Sequence, residues 1–219
     1  MYNVFLKEVG VQKDMAITND MMLKIKEISV SPTLITEQEV NQLRQFLVEH
    51  GSKRDYALVN LIIDAGLRIS EALAIRLADF HNICQTKSLT ITGFKLNKRR
   101  TVLLNDEIIS IVKDYIANER NTYKCSSYSE FLFVSNKNRD LDRVTVNKML
   151  KKYCYLAHLP NITPSQLRHF FISNALVRGF TISQVRDIVG HSNIHSTLQY
   201  MKGTNLAGIC TKDGQSKMF

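Results

Sequence analysis

The sequence predicts a mainly α-helical protein with one small antiparallel β-sheet, which places it in the α+β class. Through most of the chain, apolar residues recur with the 3.6-residue period of amphipathic helices. One stretch, 88-SLTITGFKLNKRRTVLL-104, instead has two β-branched, alternating segments around a basic centre, a pattern typical of a β-hairpin. The 219 residues suffice for one domain with a real core plus appended segments.

The predicted helices have local start and stop signals. Thr36 and Glu39 have the spacing of a capping box. Ser70 is well placed to cap a helix, Thr163 followed by Pro164 opens another, and Thr181 caps the helix after that. The predicted helices span 36–50, 53–65, 70–80, 106–120, 142–158, 163–178 and 181–189, and a last one begins near Ser192 or Asn193 and carries Tyr200.

The net charge of the chain indicates which class of partner it binds. Twenty-nine Lys and Arg against 20 Asp and Glu give a net charge of +9. This excess favours a polyanionic partner, nucleic acid first and an anionic membrane second, with a solvated basic surface as the alternative. No apolar run is long enough to span a bilayer, and the N-terminus lacks the features of a secretory signal. We therefore predict a cytoplasmic protein without a membrane partner.

The four cysteines are scattered without any C-x-x-C spacing. This pattern argues against a zinc site and against a disulfide framework. We expect reduced thiols, no bound metal and no cofactor.

Arg68 lies in a short connection between Gly66 and Ser70. A guanidinium beside a helix start suits a phosphate, because the helix dipole and the free N–H groups act in the same direction. The alternative is a structural ion pair with Glu71 or Asp64.

The centre of the hairpin is basic and contains Lys95, Lys98, Arg99 and Arg100. One interpretation is a finger that reaches a nucleic-acid groove or a scissile phosphate. The other is a solvated basic turn.

Arg168 belongs to a largely apolar helix and should be buried, so it needs an anion, either an internal carboxylate or a bound one. His191 follows the helix stop at Gly190 and is therefore held at a turn. His195 and Tyr200 are five residues apart, which in a helix is about 500° of rotation, so they point in different directions. We favour His191 over His195 as the partner of Tyr200.

Together these side chains suit one reaction, phosphoryl transfer on a nucleic-acid backbone without a metal. A tyrosine hydroxyl attacks phosphorus. Arginines stabilise the charge that grows on the non-bridging oxygens. A lysine or a histidine protonates the departing sugar oxygen.

The motifs resemble those of the tyrosine recombinases, the family of phage integrases, Xer-type enzymes and transposon or plasmid resolvases. Five motifs match in order over about 31–202: 65-AGLRISEAL-73, 95-KLNKRRTVLL-104, 167-LRH-169, 190-GHS-192 and Tyr200. The resemblance implies the tyrosine recombinase catalytic-domain fold. It also implies an enzyme that cleaves and rejoins DNA through a 3′-phosphotyrosyl intermediate. The alternatives are a type IB topoisomerase-like activity and a non-catalytic DNA-binding regulator that kept the fold.

The resemblance also implies roles for individual residues. Arg68 and Arg168 would bind the scissile phosphate, and Tyr200 would be the nucleophile. The general acid would be Lys95, with Lys98 as its rival. The remaining assignments are His191 in phosphate binding and proton transfer, Glu71 as a supporting residue at a helix start, and Arg99, Arg100 and His195 in DNA binding.

The sequence departs from the family pattern in its second arginine motif. The family usually has His-x-x-Arg there, whereas this chain has Ser165 in 165-SQLR. A serine can donate one hydrogen bond but cannot carry a positive charge. We treat Ser165 as an uncertain site residue.

The predicted organisation has three parts: an N-terminal arm or linker remnant at 1–30, the catalytic domain at 31–202, and a tail at 203–219 that protomers could exchange. Family members generally carry a core-binding domain ahead of the catalytic one, so this chain is either a minimal recombinase or depends on a further segment or partner. The implied partner is a double-stranded recombination site, in the nucleoid if the host is bacterial. The protein would form a homotetramer on DNA, remain a monomer or dimer in free solution, and could work with accessory proteins.

Overall fold

A computed structural model describes residues 35–92, 99–135 and 140–191 of the chain. These residues form mainly helices and one two-stranded sheet, as predicted. The helices are α1 Glu37–His50, α2 Lys53–Ala65, α3 Ile69–Leu73, α4 Leu77–Thr86, α5 Asp106–Asn118, α6 Arg143–Leu156, α7 Pro164–Val177 and α8 Ile182–Val189, and the strands are β1 Ser88–Thr92 and β2 Arg99–Leu103. Two short 3₁₀ turns, Arg120–Thr122 and Lys124–Ser127, follow α5.

The central helix of the fold is α2. Ten of its 13 residues are buried, so it is enclosed on nearly all sides, and it packs against α1, α5 and α7. A smaller apolar cluster joins α7 to α8 through Ile172, Leu176, Val185 and Val189. Helix α8 also packs against β2. Helix α7 therefore contacts both α2 and α8, and α8 in turn contacts β2. These contacts bring the three elements α2, α8 and β2 together.

The hairpin prediction is confirmed. Strands β1 and β2 are antiparallel, with Leu89 opposite Val102 and Thr92 opposite Arg99. The core-facing positions of β1 are Leu89 and Ile91, which is the two-residue alternation expected of a half-buried strand.

The local capping signals are confirmed at three helices. Thr36 caps α1 in a full capping box with Glu39, and Thr163 caps α7 with Pro164 in its first turn. Thr181 caps α8. Each hydroxyl satisfies an N–H group that has no partner within its own helix.

The prediction of one helix over 70–80 with Ser70 as its cap was wrong. Helix α3 begins earlier, with Arg68 as its N-cap residue, and it ends at Leu73. The chain then forms a short β-bridge in which Arg76 lies opposite Phe131, while Leu132 donates its N–H to the Ile75 carbonyl at 2.8 Å. This pairing takes up the backbone groups that a continuous helix would need, so α4 starts anew at Leu77.

Candidate active site

Arg68 is placed by a tight turn between α2 and α3. Gly66 has φ 61°, and a Cβ at this position would lie 2.3 Å from Cδ1 of Phe171, so only glycine allows the turn to approach α7 this closely. The backbone N–H of Arg68 donates to Glu71 Oε2 at 2.7 Å. The sequence therefore fixes the backbone of Arg68 directly above α7.

Arg168 extends from α7 to the same turn. Its side chain is buried, with 7% exposed. Nη1 donates to the Gly66 carbonyl at 2.5 Å, and Nη2 donates to the Val189 carbonyl at 2.6 Å. Nη1 also lies 3.7 Å from Glu71 Oε2. Arg168 thus joins the end of α2 to the end of α8, as a buried guanidinium with good acceptors can.

The guanidinium of Arg68 reaches the same end of α8. Nη1 donates to the Val189 carbonyl at 3.4 Å and Nη2 to the Gly190 carbonyl at 3.2 Å. Its side chain is 42% exposed. The two arginines, which are 100 residues apart in the sequence, converge on one carbonyl, with Arg168 beneath and Arg68 facing solvent.

Glu71 supplies the negative charge of this cluster. Burial alone would raise the pKa of this carboxyl, but hydrogen bonds from Arg100 and from the Arg68 backbone, together with the charge of Arg100, lower it to about 2. Three guanidinium groups, those of Arg68, Arg100 and Arg168, therefore surround one carboxylate. The resulting excess of positive charge suits a bound anion such as a phosphodiester.

His191 lies at the turn that follows α8. Its backbone N–H donates to the Arg186 carbonyl at 3.1 Å. Burial, and then the charges of Arg168 and Arg68, lower the pKa of the imidazole to about 4. At neutral pH the ring is uncharged, so one nitrogen donates a hydrogen bond and the other accepts one.

Some of the other predicted site residues are described by the structure, and the rest lie outside the described residues. Ser165 is exposed and precedes Arg168 by three residues on α7, which places both on one face of the helix. Arg99 is exposed on β2. Asp64, one alternative partner for Arg68, instead pairs with Arg44 of α1. Four predicted site residues, Lys95, Lys98, His195 and Tyr200, lie outside the described residues.

The connection between Arg100 and Glu71 was missed in the sequence. Arg100 alternates in β2 with the exposed Arg99 and Thr101, so it shares a face with the buried Val102. A guanidinium on the core side of a strand needs an acceptor. This alternation is the signal that could have separated Arg100 from the basic surface of the hairpin.

Two searches of the described residues found nothing. Within 35–92, 99–135 and 140–191, no three His, Cys, Asp or Glu side chains are grouped as metal ligands. Across the same ranges, every helix is too short or too polar to cross a membrane.

Sequence comparison identifies the relatives of the chain. Residues 33–205 match the phage integrase family. The chain is 42% identical over 205 residues to the TnP I resolvase of Bacillus thuringiensis, covering 94% of this chain and 69% of that protein. It is 29% identical over 176 residues to tyrosine recombinase XerA of Pyrococcus furiosus, covering 79% of this chain but only 58% of that relative.

The fold is shared with solved recombinase structures. The crystal structure of XerA recombinase matches with a TM-score of 0.68 at 23% identity, over 91% of this chain and 67% of that one. XerH bound to its difH substrate matches with a TM-score of 0.66 at 23% identity, over 78% and 50%. The catalytic domain of bacteriophage HP1 integrase gives 0.56 at 21% identity, over 80% and 89%. The resemblance predicted from the motifs is confirmed: the chain belongs to the phage integrase family and is a site-specific tyrosine recombinase.

Proposed function

We propose that the chain cleaves and rejoins double-stranded DNA through a covalent 3′-phosphotyrosyl intermediate on Tyr200. The observation that carries this proposal is the convergence of Arg68 and Arg168 on the Val189 carbonyl, next to His191. Two guanidiniums at one point can bind both non-bridging oxygens of a phosphodiester. They would stabilise the charge that develops there as the nucleophile attacks.

In the proposed reaction, the hydroxyl oxygen of Tyr200 forms a bond to phosphorus while the bond from phosphorus to the 5′-oxygen breaks. The tyrosine proton leaves to a base, and the 5′-oxygen takes a proton from a general acid. We assign the acid to Lys95, with Lys98 as the alternative. His191 is uncharged at neutral pH, so it can accept a hydrogen bond from the nucleophile or donate one to the phosphate.

Rejoining is the reverse of cleavage in this proposal. A 5′-hydroxyl attacks the phosphotyrosine, the tyrosine leaves with a proton, and the phosphodiester forms again. Because the phosphoester is conserved in the covalent link, the cycle as proposed uses no ATP. Because the arginines carry the charge stabilisation, it assigns no step to a metal.

The partner we propose is a double-stranded recombination site bound by four copies of the chain, with residues 203–219 exchanged between protomers. The charge of +9 supports a DNA partner. The structural relatives include XerH bound to difH and the Tn1549 transposon integrase bound to transposon DNA. A cytoplasmic location, with the nucleoid as the site of action in a bacterial host, follows from this partner.

A covalent trapping experiment tests this proposal. The full chain is incubated with a pool of nicked suicide duplexes that are randomised at the centre, and SDS-stable protein–DNA adducts are collected and sequenced. We expect adducts on a restricted set of sequences with the wild-type chain and none with Tyr200→Phe. An adduct that persists in Tyr200→Phe, or no adduct from any duplex, would overturn the proposal.

A further inference from the structure

Arg100 links three separate elements of the fold. It belongs to β2, and 12% of its side chain is exposed. Nη1 and Nη2 donate to the two carboxylate oxygens of Glu71 at 2.9 and 2.8 Å. Nε donates to the carbonyl of Ile188 in α8 at 2.8 Å. The bidentate geometry fixes the guanidinium plane as well as its distance.

The turn that carries His191 is built around this side chain. Gly190 has φ 68°, and a Cβ there would lie 2.8 Å from Nη1 of Arg100 and 3.0 Å from its Cδ. A side chain at position 190 would therefore push against the guanidinium. The glycine allows the backbone before His191 to rest directly on Arg100.

Arg100 is also connected to the phosphate-binding arginines through Glu71. The same carboxylate accepts from the Arg68 backbone, from Arg68 Nη1 at 2.8 Å, and lies 3.7 Å from Arg168 Nη1. Without Arg100, Glu71 would lose both bonds of its bidentate partner. Arg68 would then lose a fixed acceptor.

The hairpin is the third element that depends on this contact. Arg99 pairs with Thr92 at the open end of the described sheet, and Lys95 and Lys98 lie in the chain between these two residues. Arg100, next to Arg99, attaches this end of the hairpin to α3 and α8.

We propose that Arg100 is a positioning residue that holds strand β2, Arg68 and the turn at His191 in register with one another. This inference rests on the proposed function, and it differs from the prediction that Arg100 binds DNA. All three nitrogens of the guanidinium donate to protein acceptors. A residue in this role changes the alignment of the acid with the leaving oxygen, and it contributes little to DNA affinity.

The test compares Arg100→Ala with Arg99→Ala, which removes an equal charge from the neighbouring, exposed position of the same strand. Both variants are given two versions of a duplex selected by the trapping experiment, one with the ordinary 5′-oxygen and one with a 5′-bridging sulfur. A thiolate leaves without a proton, so the sulfur substrate bypasses the general acid. Thermal melting shows whether each variant is folded, and Arg100→Lys replaces Arg100→Ala if that variant is not.

We expect Arg100→Ala to slow single-turnover cleavage of the oxygen substrate about a hundredfold, because small misplacements of reacting groups have effects of that size. The ratio of sulfur to oxygen cleavage rates should rise about tenfold or more. Arg99→Ala should weaken DNA binding and reduce its salt dependence, with the sulfur-to-oxygen ratio unchanged. An unchanged ratio in Arg100→Ala, or a loss of salt dependence equal to that of Arg99→Ala, would overturn the proposal.

A second measurement separates this inference from the proposed function. Amide hydrogen exchange needs no DNA, and it reports whether Arg100 holds the paired end of β1 and β2 and the turn at His191. In Arg100→Ala we expect faster exchange at Thr92 and at His191, whose N–H donates to Arg186, while amides in α2 keep their protection. If the wild-type chain forms no adduct, the proposed function fails. If exchange at both sites is unchanged, the role of Arg100 fails.

Discussion

Two buried arginines, Arg120 and Arg168, have similar exposure but different surroundings. Arg120 is 2% exposed, and its guanidinium donates to four backbone carbonyls, those of Ser126, Ser129, Phe131 and Leu132. Among the described residues, none of the ion pairs involves Arg120. These hydrogen bonds hold the loop after α5, and the side chain is almost completely hidden from solvent.

Arg168 is 6% exposed but belongs to a group of like charges. It shares the Val189 carbonyl with Arg68, and it shares Glu71 with Arg68 and Arg100. Concentrating guanidiniums around one carboxylate costs electrostatic energy unless a further anion binds. Burial alone therefore does not identify a functional arginine. A group of arginines that outnumbers the carboxylates around it does.

The largest expected effect concerns Arg168. Arg168→Lys keeps the charge but loses the planar fork that reaches both Gly66 and Val189. We expect the single-turnover cleavage rate to fall by about a hundred- to a thousandfold, as for the loss of one transition-state donor. Rapid-quench measurement of the covalent adduct checks this, with circular dichroism as the control for folding. A rate within threefold of wild type would remove Arg168 from the site.

Arg120 should give the opposite result. Arg120→Met removes a donor from four backbone carbonyls, of which, within the described residues, only that of Leu132 keeps another, the Tyr115 hydroxyl. We expect the free energy of unfolding to fall by about 3 kcal/mol. At a temperature where the variant is folded, cleavage should be near normal. Urea denaturation and adduct formation measure the two quantities. If Arg120→Met instead lost cleavage at full stability, the distinction between the two arginines would be wrong.

The pH dependence of stability sharpens the same contrast. His191 has a folded pKa of about 4, below the ordinary value, so the unfolded chain binds its proton first and stability falls as pH drops from about 6.5 to 4. Glu71 has a folded pKa of about 2, so its contribution is present above about pH 4.5 and is lost as pH falls toward 2. The loss from His191 should be about 3 kcal/mol between pH 7 and pH 4. Urea denaturation at pH 7, 5.5 and 4 measures it.

His191→Gln provides the control for that titration. The variant lacks the group that titrates between pH 6.5 and 4, so its stability should change less over this range than that of the wild-type chain. Equal slopes for the two proteins would show that burial and the neighbouring arginines do not lower the pKa of His191.

Local signals made most of the helices predictable, whereas the site depends on contacts between distant residues. The caps at Thr36, Thr163 and Thr181 act within one turn, so the sequence displays them directly. The break after Leu73 was not visible, because it depends on backbone pairing of Ile75 with Leu132. Tertiary pairing of this kind overrides a continuous helical period.

The candidate site shows the same division. The motifs singled out Arg68, Arg168 and His191 as separate candidates, and the structure brings these three together at the end of α8. Arg100 contacts Glu71 and Ile188, which are 29 and 88 positions away in the sequence. No local sequence pattern could therefore predict these partners. Alternation in β2 could have shown only that Arg100 faces inward.

The smallest expected effect concerns Ser165, which replaces the family's usual histidine. Ser165 is exposed one turn before Arg168 and carries no charge, so its hydroxyl can contribute about one neutral hydrogen bond, or about 1 kcal/mol. We expect Ser165→Ala to change the single-turnover cleavage rate by about fivefold or less. Ser165→His should also stay within about tenfold, because position 165 is exposed and the substitution leaves the contacts of Arg68 and Arg168 in place. A hundredfold loss in Ser165→Ala would mean that the serine contacts the reacting groups. Part of the transition-state stabilisation assigned to Arg68, Arg168 and His191 would then belong to Ser165.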